Sequence, residues 1–144
     1  MSIRPMESTD IPAAVEIEAR CFCAPWSAEA FASSMASGHN RFFLAIEDGA
    51  PVGYIGMQLL PPEGDILNLA VLPEYRRRGL GCALLDAAFE ACRKGKIESL
   101  MLEVRASNAA AQGLYTSAGF QPVGRRRGFY TAPAEDAVLM RATL

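Results

Sequence analysis

The chain predicts one α/β domain: a mixed sheet with antiparallel arms, a central parallel strand pair and flanking helices. Three observations carry this expectation. Strand-length apolar runs at 42–47, 52–60 and 66–72 are joined by the turn pairs Asp48-Gly49 and Glu63-Gly64, which gives an antiparallel meander. The third run is followed by an apolar pattern at helical spacing, Leu84, Leu85, Ala88, Phe89 and Cys92, and then by another strand-like run from Ser99 to Arg105. A strand reached through a helical crossover runs parallel to the one before it. Finally, 144 residues, 51% of them hydrophobic, suffice for one core, and no repeat, low-complexity tract or linker divides them.

Taken in order, Ser2 to Arg4 is a short strand before Pro5. Thr9 or Asp10 caps a first helix, with Pro12 tolerated in its first turn and an apolar side of Ile11, Ala14, Val15, Ala19 and Phe22. Pro25-Trp26-Ser27 restarts the chain. Ser27 caps a short helix carrying Phe31 and Met35, and Trp26 is expected as a core anchor under the helix junction. The meander follows. Gly95 ends the helix expected over 82–94, Asn108 caps another over 109–118, and Gly119 closes that one. Runs at 123–130 and 137–142 form a terminal strand pair around the loop from Thr131 to Ala134.

Between the central strand and its helix lies Arg76-Arg77-Arg78-Gly79-Leu80-Gly81. The first turn of a helix has unpartnered N–H groups and partial positive charge, glycines admit a phosphate close to the backbone, and arginines add charge. This reads as a pyrophosphate cradle. A P-loop requires Lys-Ser/Thr after its glycines, and Gly81-Cys82-Ala83 has neither. A dinucleotide fingerprint requires its glycines directly off the strand, and the residues from Glu74 to Arg78 intervene. The pattern Arg/Gln-x-x-Gly-x-Gly/Ala fits without adjustment.

Composition narrows the rest. A formal net charge of −2 argues against a wholesale nucleic-acid binder, although basic clusters at 76–78 and 125–127 offer local contacts to acidic partners. No apolar run approaches the roughly 20 residues that span a bilayer, and the N-terminus lacks a signal-peptide core, so the cytosol is the expected compartment. Cys21, Cys23, Cys82 and Cys92 match neither zinc-ligand spacing nor a disulfide framework, and His39 is the single histidine. The thiols are expected reduced and mostly packing, with no metal site.

A second constellation lies further along. In Leu100 to Arg105 the faces alternate, with Met101, Glu103 and Arg105 on one side. Glu103 on a strand covered on both faces is costly unless that face opens on a cleft or Arg105 pairs with it. Tyr115 shares a helix face with Asn108, as a core aromatic or as a phenol aimed at a site.

The loop at 76–81 resembles the acyl-CoA loop of the GNAT N-acetyltransferases. Leu102 to Ala111, Leu114-Tyr115 and Gly119-Phe120 resemble the core signature of the RimI-type ribosomal-protein alanine N-acetyltransferases. Pro25-Trp26-Ser27, Asn68 to Val71 and Glu135-Asp136-Ala137 are similar to that family too. The resemblance implies acetyl transfer from acetyl-CoA, without a metal, to the N-terminal alanine of a small-subunit ribosomal protein. It implies Glu103 as base, directly or through water, and Tyr115 as acid. It also implies cofactor contacts from Leu69, Ala70, Val71, Arg77, Arg78, Gly79, Leu80, Gly81, Cys82 and Asn108. The chain departs from the family at Phe129-Tyr130, where two tyrosines are common, and in the short loop 131–134, both near the expected acceptor groove. A GNAT enzyme acting on lysine or a small amine, and a non-catalytic acyl-CoA sensor, are the alternatives. An acceptor screen separates the former, and binding without turnover would mark the latter.

Overall fold

The computed structural model describes all 144 residues. In chain order the elements are β1 (Ser2–Pro5), α1 (Ile11–Cys21), α2 (Ala28–Ala36), β2 (Asn40–Glu47), β3 (Ala50–Leu60), β4 (Glu63–Val71), α3 (Leu80–Lys94), β5 (Ser99–Arg105), α4 (Ala109–Ser117), β6 (Gln121–Thr131) and β7 (Ala134–Thr143). The seven strands form one sheet in the order β1-β2-β3-β4-β5-β7-β6. The meander forms as expected, with Asp48 and Gly49 both at positive φ in the first turn. Its second turn is Pro61-Pro62 rather than Glu63-Gly64, because Glu63 and Gly64 already pair with Leu60 and Leu59 as the start of β4. The one parallel pair is β4 with β5.

That pair is the feature that makes a site. The two strands are in register only from Glu63↔Ser99 to Asp65↔Met101. Beyond this β5 pairs on its other side with β7, from Ser99↔Thr143 to Arg105↔Ala137, while β4 continues paired to β3 alone. The register slips between Gly56↔Asn68 and Met57↔Ile66, which leaves Leu67 bulged. A bulge bends its strand and increases local twist, so it fits a strand leaving its neighbour.

Local sequence accounts for the helices. Ser27 Oγ accepts from the Ala30 amide at 3.1 Å and Asn108 Oδ1 from the Ala111 amide at 3.1 Å, so both expected caps are made. Asp10 does not cap α1 with its side chain; its carboxylate accepts from Arg4 and from the Glu7 amide instead. The buried side of α1 is Ala14, Ile17 and Glu18, whereas Ala19 is exposed. α3 starts two residues before the expected Cys82, because Leu80 is buried and its first turn packs on α4. The core runs on both sides of the sheet, with Leu84, Leu85, Phe89 and Phe120 on the α3 side and Ile17, Phe31, Phe42 and Tyr54 toward α1 and α2.

Candidate active site

Where β4 and β5 part, their facing edges and the neighbouring loops enclose a cleft of about 580 Å³. Leu67 to Leu69 form one wall and Glu103 to Arg105 the other. The α1–α2 loop closes one end with Phe22 and Trp26, α4 contributes Asn108 and Tyr115, and the β6–β7 hairpin contributes Phe129 and Tyr130. Glu103 and Tyr115, 12 residues apart in sequence, thus line one cavity. A depression of similar volume, about 590 Å³, lies over α3 between Ile3, Phe43 and Asp86, and neither Glu103 nor Tyr115 lines it.

Glu103 resolves one open point. Its side chain is 31% exposed, faces the cleft and lies 3.7 Å from Arg126 Nε. Arg105 does not pair with it. That guanidinium donates to Glu135 at 3.2 Å and to the carbonyls of Ala132 and Pro133, and stacks on Tyr130 at 4.2 Å, so it fastens the hairpin tip. The loop is shorter than the expected 131–134, only Ala132 and Pro133, since Thr131 pairs directly with Ala134.

Tyr115 is 7% exposed and packs edge-on against Phe120 at 5.7 Å, which is the core role. Its hydroxyl nonetheless makes no hydrogen bond to protein while the ring lines the cleft. Burial, helped by the nearby Tyr130, pushes the phenol well above its ordinary value and keeps it protonated.

The edge of β4 that turns toward β5 is open over its last residues. Leu69 N–H points away from β3, to Asn68 Oδ1 at 3.1 Å, and Val71 C=O accepts from Arg76 Nε at 2.9 Å. In an antiparallel ladder such residues send both N–H and C=O outward, so the Val71 amide also faces the open edge. Ala70 alternates with Leu69 and Val71: its side chain is in the core and its N–H and C=O face β3, so it turns no polar group to the open edge.

The loop from Arg76 to Gly79 leads into α3. Arg77 has φ +63° and Gly79 +83°, and a Cβ on Gly79 would meet nothing within 4 Å, so the space over that backbone is open. The first bonded amide of α3 is Ala83, to Gly79 at 3.0 Å, and no protein group accepts from Leu80, Gly81 or Cys82. These free amides, with exposed Arg77 and Arg78, fit a phosphate group. Two of the expected contact residues also serve packing. Leu80 is a core side chain and offers only its amide. Gly81 is small for a packing reason: a Cβ there would stand 2.9 Å from Leu114 of α4. The thiols are free, but only Cys92 is buried; Cys23 and Cys82 are exposed, so packing does not account for most of them.

Sequence reasoning missed Glu18. It is fully buried, accepts from the Trp26 amide at 2.9 Å, from Asn68 Nδ2 at 2.6 Å and from the Tyr54 hydroxyl, and no cation pairs with it. Burial raises its carboxyl above the ordinary value against the pull of the Tyr54 and Trp26 hydrogen bonds. A signal was present: positions 11, 14, 15, 18 and 22 form one helical stripe, and Glu18 is its only charged member. Trp26 packs tilted against Phe31 at 5.2 Å and edge-on against Phe42 at 6.4 Å while also lining the cleft, so it anchors the core and forms a wall.

Comparison with known proteins agrees with this geometry. Residues 11–120 match the acetyltransferase (GNAT) family. A [ribosomal protein bS18]-alanine N-acetyltransferase of Escherichia coli (strain K12) is 41% identical over 141 residues, covering 96% of this chain and 95% of the relative. The N-alpha-acetyltransferase RimI of Mycobacterium tuberculosis is 38% identical over 147 residues, covering 98% and 91%. The crystal structure of the Escherichia coli ribosomal-protein-S18-alanine N-acetyltransferase superposes with a TM-score of 0.90 at 40% identity, covering 99% of this chain and 92% of that one. That of Ard1 from Thermoplasma volcanium superposes at 0.91 with 26% identity, covering 99% and 97%. Split sheet, open β4 edge, amide-rich α3 start and sequence together place this chain in the GNAT acetyltransferase family, on its RimI-type branch.

Proposed function

We propose that the protein transfers the acetyl group of acetyl-CoA to the free N-terminal α-amine of a protein, the N-terminal alanine of a small-subunit ribosomal protein. One observation carries the reading: Glu103 and Tyr115 line the same cleft, against the edge of β4 that no other strand occupies. The Escherichia coli relative at 41% identity is named for this acceptor, the alanine of ribosomal protein bS18.

The roles follow from chemistry. The α3 amides, with Arg77 and Arg78, hold the pyrophosphate, and the open edge from Leu69 to Val71 takes the thioester arm, with Asn108 at its flank. The outward Val71 amide is placed to donate to the carbonyl oxygen as it gains charge. Glu103, directly or through a water, removes a proton from the amine that attacks the carbonyl carbon. An α-amine with pKa ~7.7–8.0 needs far less help than a lysine at ~10.4. Tyr115 stays protonated in its buried pocket and gives its proton to sulfur as the carbon–sulfur bond breaks.

The test is mass spectrometry on a peptide panel with acetyl-CoA. A peptide beginning with a free alanine gains one acetyl group, whereas the same peptide with a blocked N-terminus and an internal lysine does not. Comparable turnover of both reassigns the protein to lysine or broad-range acetylation.

A further inference from the structure

Glu18 takes no part in the proposed chemistry, yet it lies between two walls of the cleft. Its Oε1 accepts from the Trp26 amide in the α1–α2 loop at 2.9 Å; its Oε2 accepts from Tyr54 on β3 and from Asn68 Nδ2 on β4 at 2.6 Å. Asn68 in turn uses its Oδ1 on the Leu69 amide at 3.1 Å, one residue after the bulged Leu67. One carboxylate therefore fixes both the backbone that presents Trp26 and the side chain that covers an amide on the open β4 edge. Burying a carboxylate with no cation beside it is costly, and an apolar residue would complete the α1 stripe at less expense. Three well-placed donors offset that cost only while the two walls keep their relative position.

We infer that Glu18 is a positioning residue, which clamps the α1–α2 loop to the bulged edge of β4 and so sets the acceptor side of the cleft. This rests on the acetyl-transfer reading above. In Glu18→Gln the size is kept, but the side chain offers one acceptor oxygen and one NH2, so either the Trp26 amide or the Asn68 amide meets a donor. Adding Asn68→Asp reverses that mismatch, with the Tyr54 hydroxyl, which donates to Glu18 in the wild type, turning to accept from the second N–H of the introduced NH2. The new carboxylate would accept from the introduced NH2 with one oxygen and keep the Leu69 amide with the other. The introduced amide oxygen would then remain for Trp26.

The experiment compares wild type, Glu18→Gln and the double variant Glu18→Gln/Asn68→Asp on an alanine-initiated peptide, with acetyl-CoA binding followed separately by thermal shift. Glu18→Gln is expected to raise the acceptor KM by about tenfold, a mispositioning of the acceptor rather than of the thioester, with kcat changed less and the acetyl-CoA shift retained. The double variant is expected to recover most of the acceptor KM. A Glu18→Gln protein that melts lower but keeps the wild-type KM would show Glu18 to be structural only. Equal loss of acetyl-CoA binding, or failure of the double variant to fold or to recover KM, also overturns the assignment. A wild-type chain that turns over no free-amine peptide defeats the acetyl-transfer reading itself, and this proposal with it.

Discussion

Asp10 accepts two hydrogen bonds from the Arg4 guanidinium, at 2.8 and 2.9 Å, and one from the Glu7 amide, which hold its pKa at about 2. Glu135 and Asp136 are lowered as well, chiefly by hydrogen bonds involving Ser107 and Gly128. For a carboxylate depressed in the folded state, the stabilisation is present above the unfolded value of about 4 and disappears as pH falls through the folded one. Stability should therefore drop between about pH 4 and pH 2, and Asp10→Asn should flatten part of that drop while lowering stability at neutral pH, as urea melts at several pH values would show. Strand alternation and helical spacing gave the directions of Glu103 and Tyr115 but left a structural ion pair and a core aromatic open. The resemblance to the family is what singled the two out, and both line the cleft. The partners of Arg105 were not legible. They lie on a hairpin 27 to 30 residues later in the chain, and a contact of that kind leaves no local pattern.

Gly56 illustrates packing between elements. A Cβ there would sit 2.4 Å from the ring of Phe42, which packs edge-on against Phe31 and Trp26. Gly56→Ala should cost ~1–3 kcal/mol by overpacking, measured by denaturant unfolding, and should disturb the Trp26 wall as well. Ser27→Ala should cost ~1 kcal/mol through loss of the α2 cap, with little effect on acetyl-CoA binding. The elements themselves were readable from turn pairs, caps and periodicity, with ends shifted by one to three residues where tertiary contacts extend them. The β6 strand begins at Gln121 rather than Val123 for that reason, continuing its pairing with β7 to Arg141. Gly81 was readable as a small residue but not its cause, since Leu114 reaches it from a helix that begins 28 residues later.

Across the whole molecule, function depends on a sheet that is continuous in order but parted between β4 and β5. The parallel pair was legible from the helical crossover; the parting was not, because it follows from β5 choosing β7 as its long partner. The outer strand β6 carries exposed Arg125, Arg126 and Arg127, charges that discourage another chain from adding to the sheet edge. Ligand linkage gives a test at this scale. A hundredfold excess of acetyl-CoA over its Kd should stabilise the fold by ~2.7 kcal/mol, seen as a thermal shift, with NAD and ATP doing far less. Gly79→Val, which forces a β-branched residue to positive φ beside the free α3 amides, should reduce that shift; a variant that keeps it in full would move the phosphate site elsewhere.

The central claim is that one cleft divides the proton work between Glu103 and Tyr115, and the pH dependence of kcat/KM from about pH 6 to 9.5 tests it most directly. Glu103→Gln removes the base, so its deficit should be large near neutrality and shrink above about pH 8, where the α-amine is already neutral. Tyr115→Phe keeps the packing against Phe120 and deletes only the donor, so a loss on the order of 10²–10⁴ should persist across the same range. Thermal melts of both variants are the control for folding. If Glu103→Gln is close to wild type at pH 7, or the two deficits run parallel over the whole range, the division of roles is contradicted, and Glu103 is better described as a structural partner of Arg126.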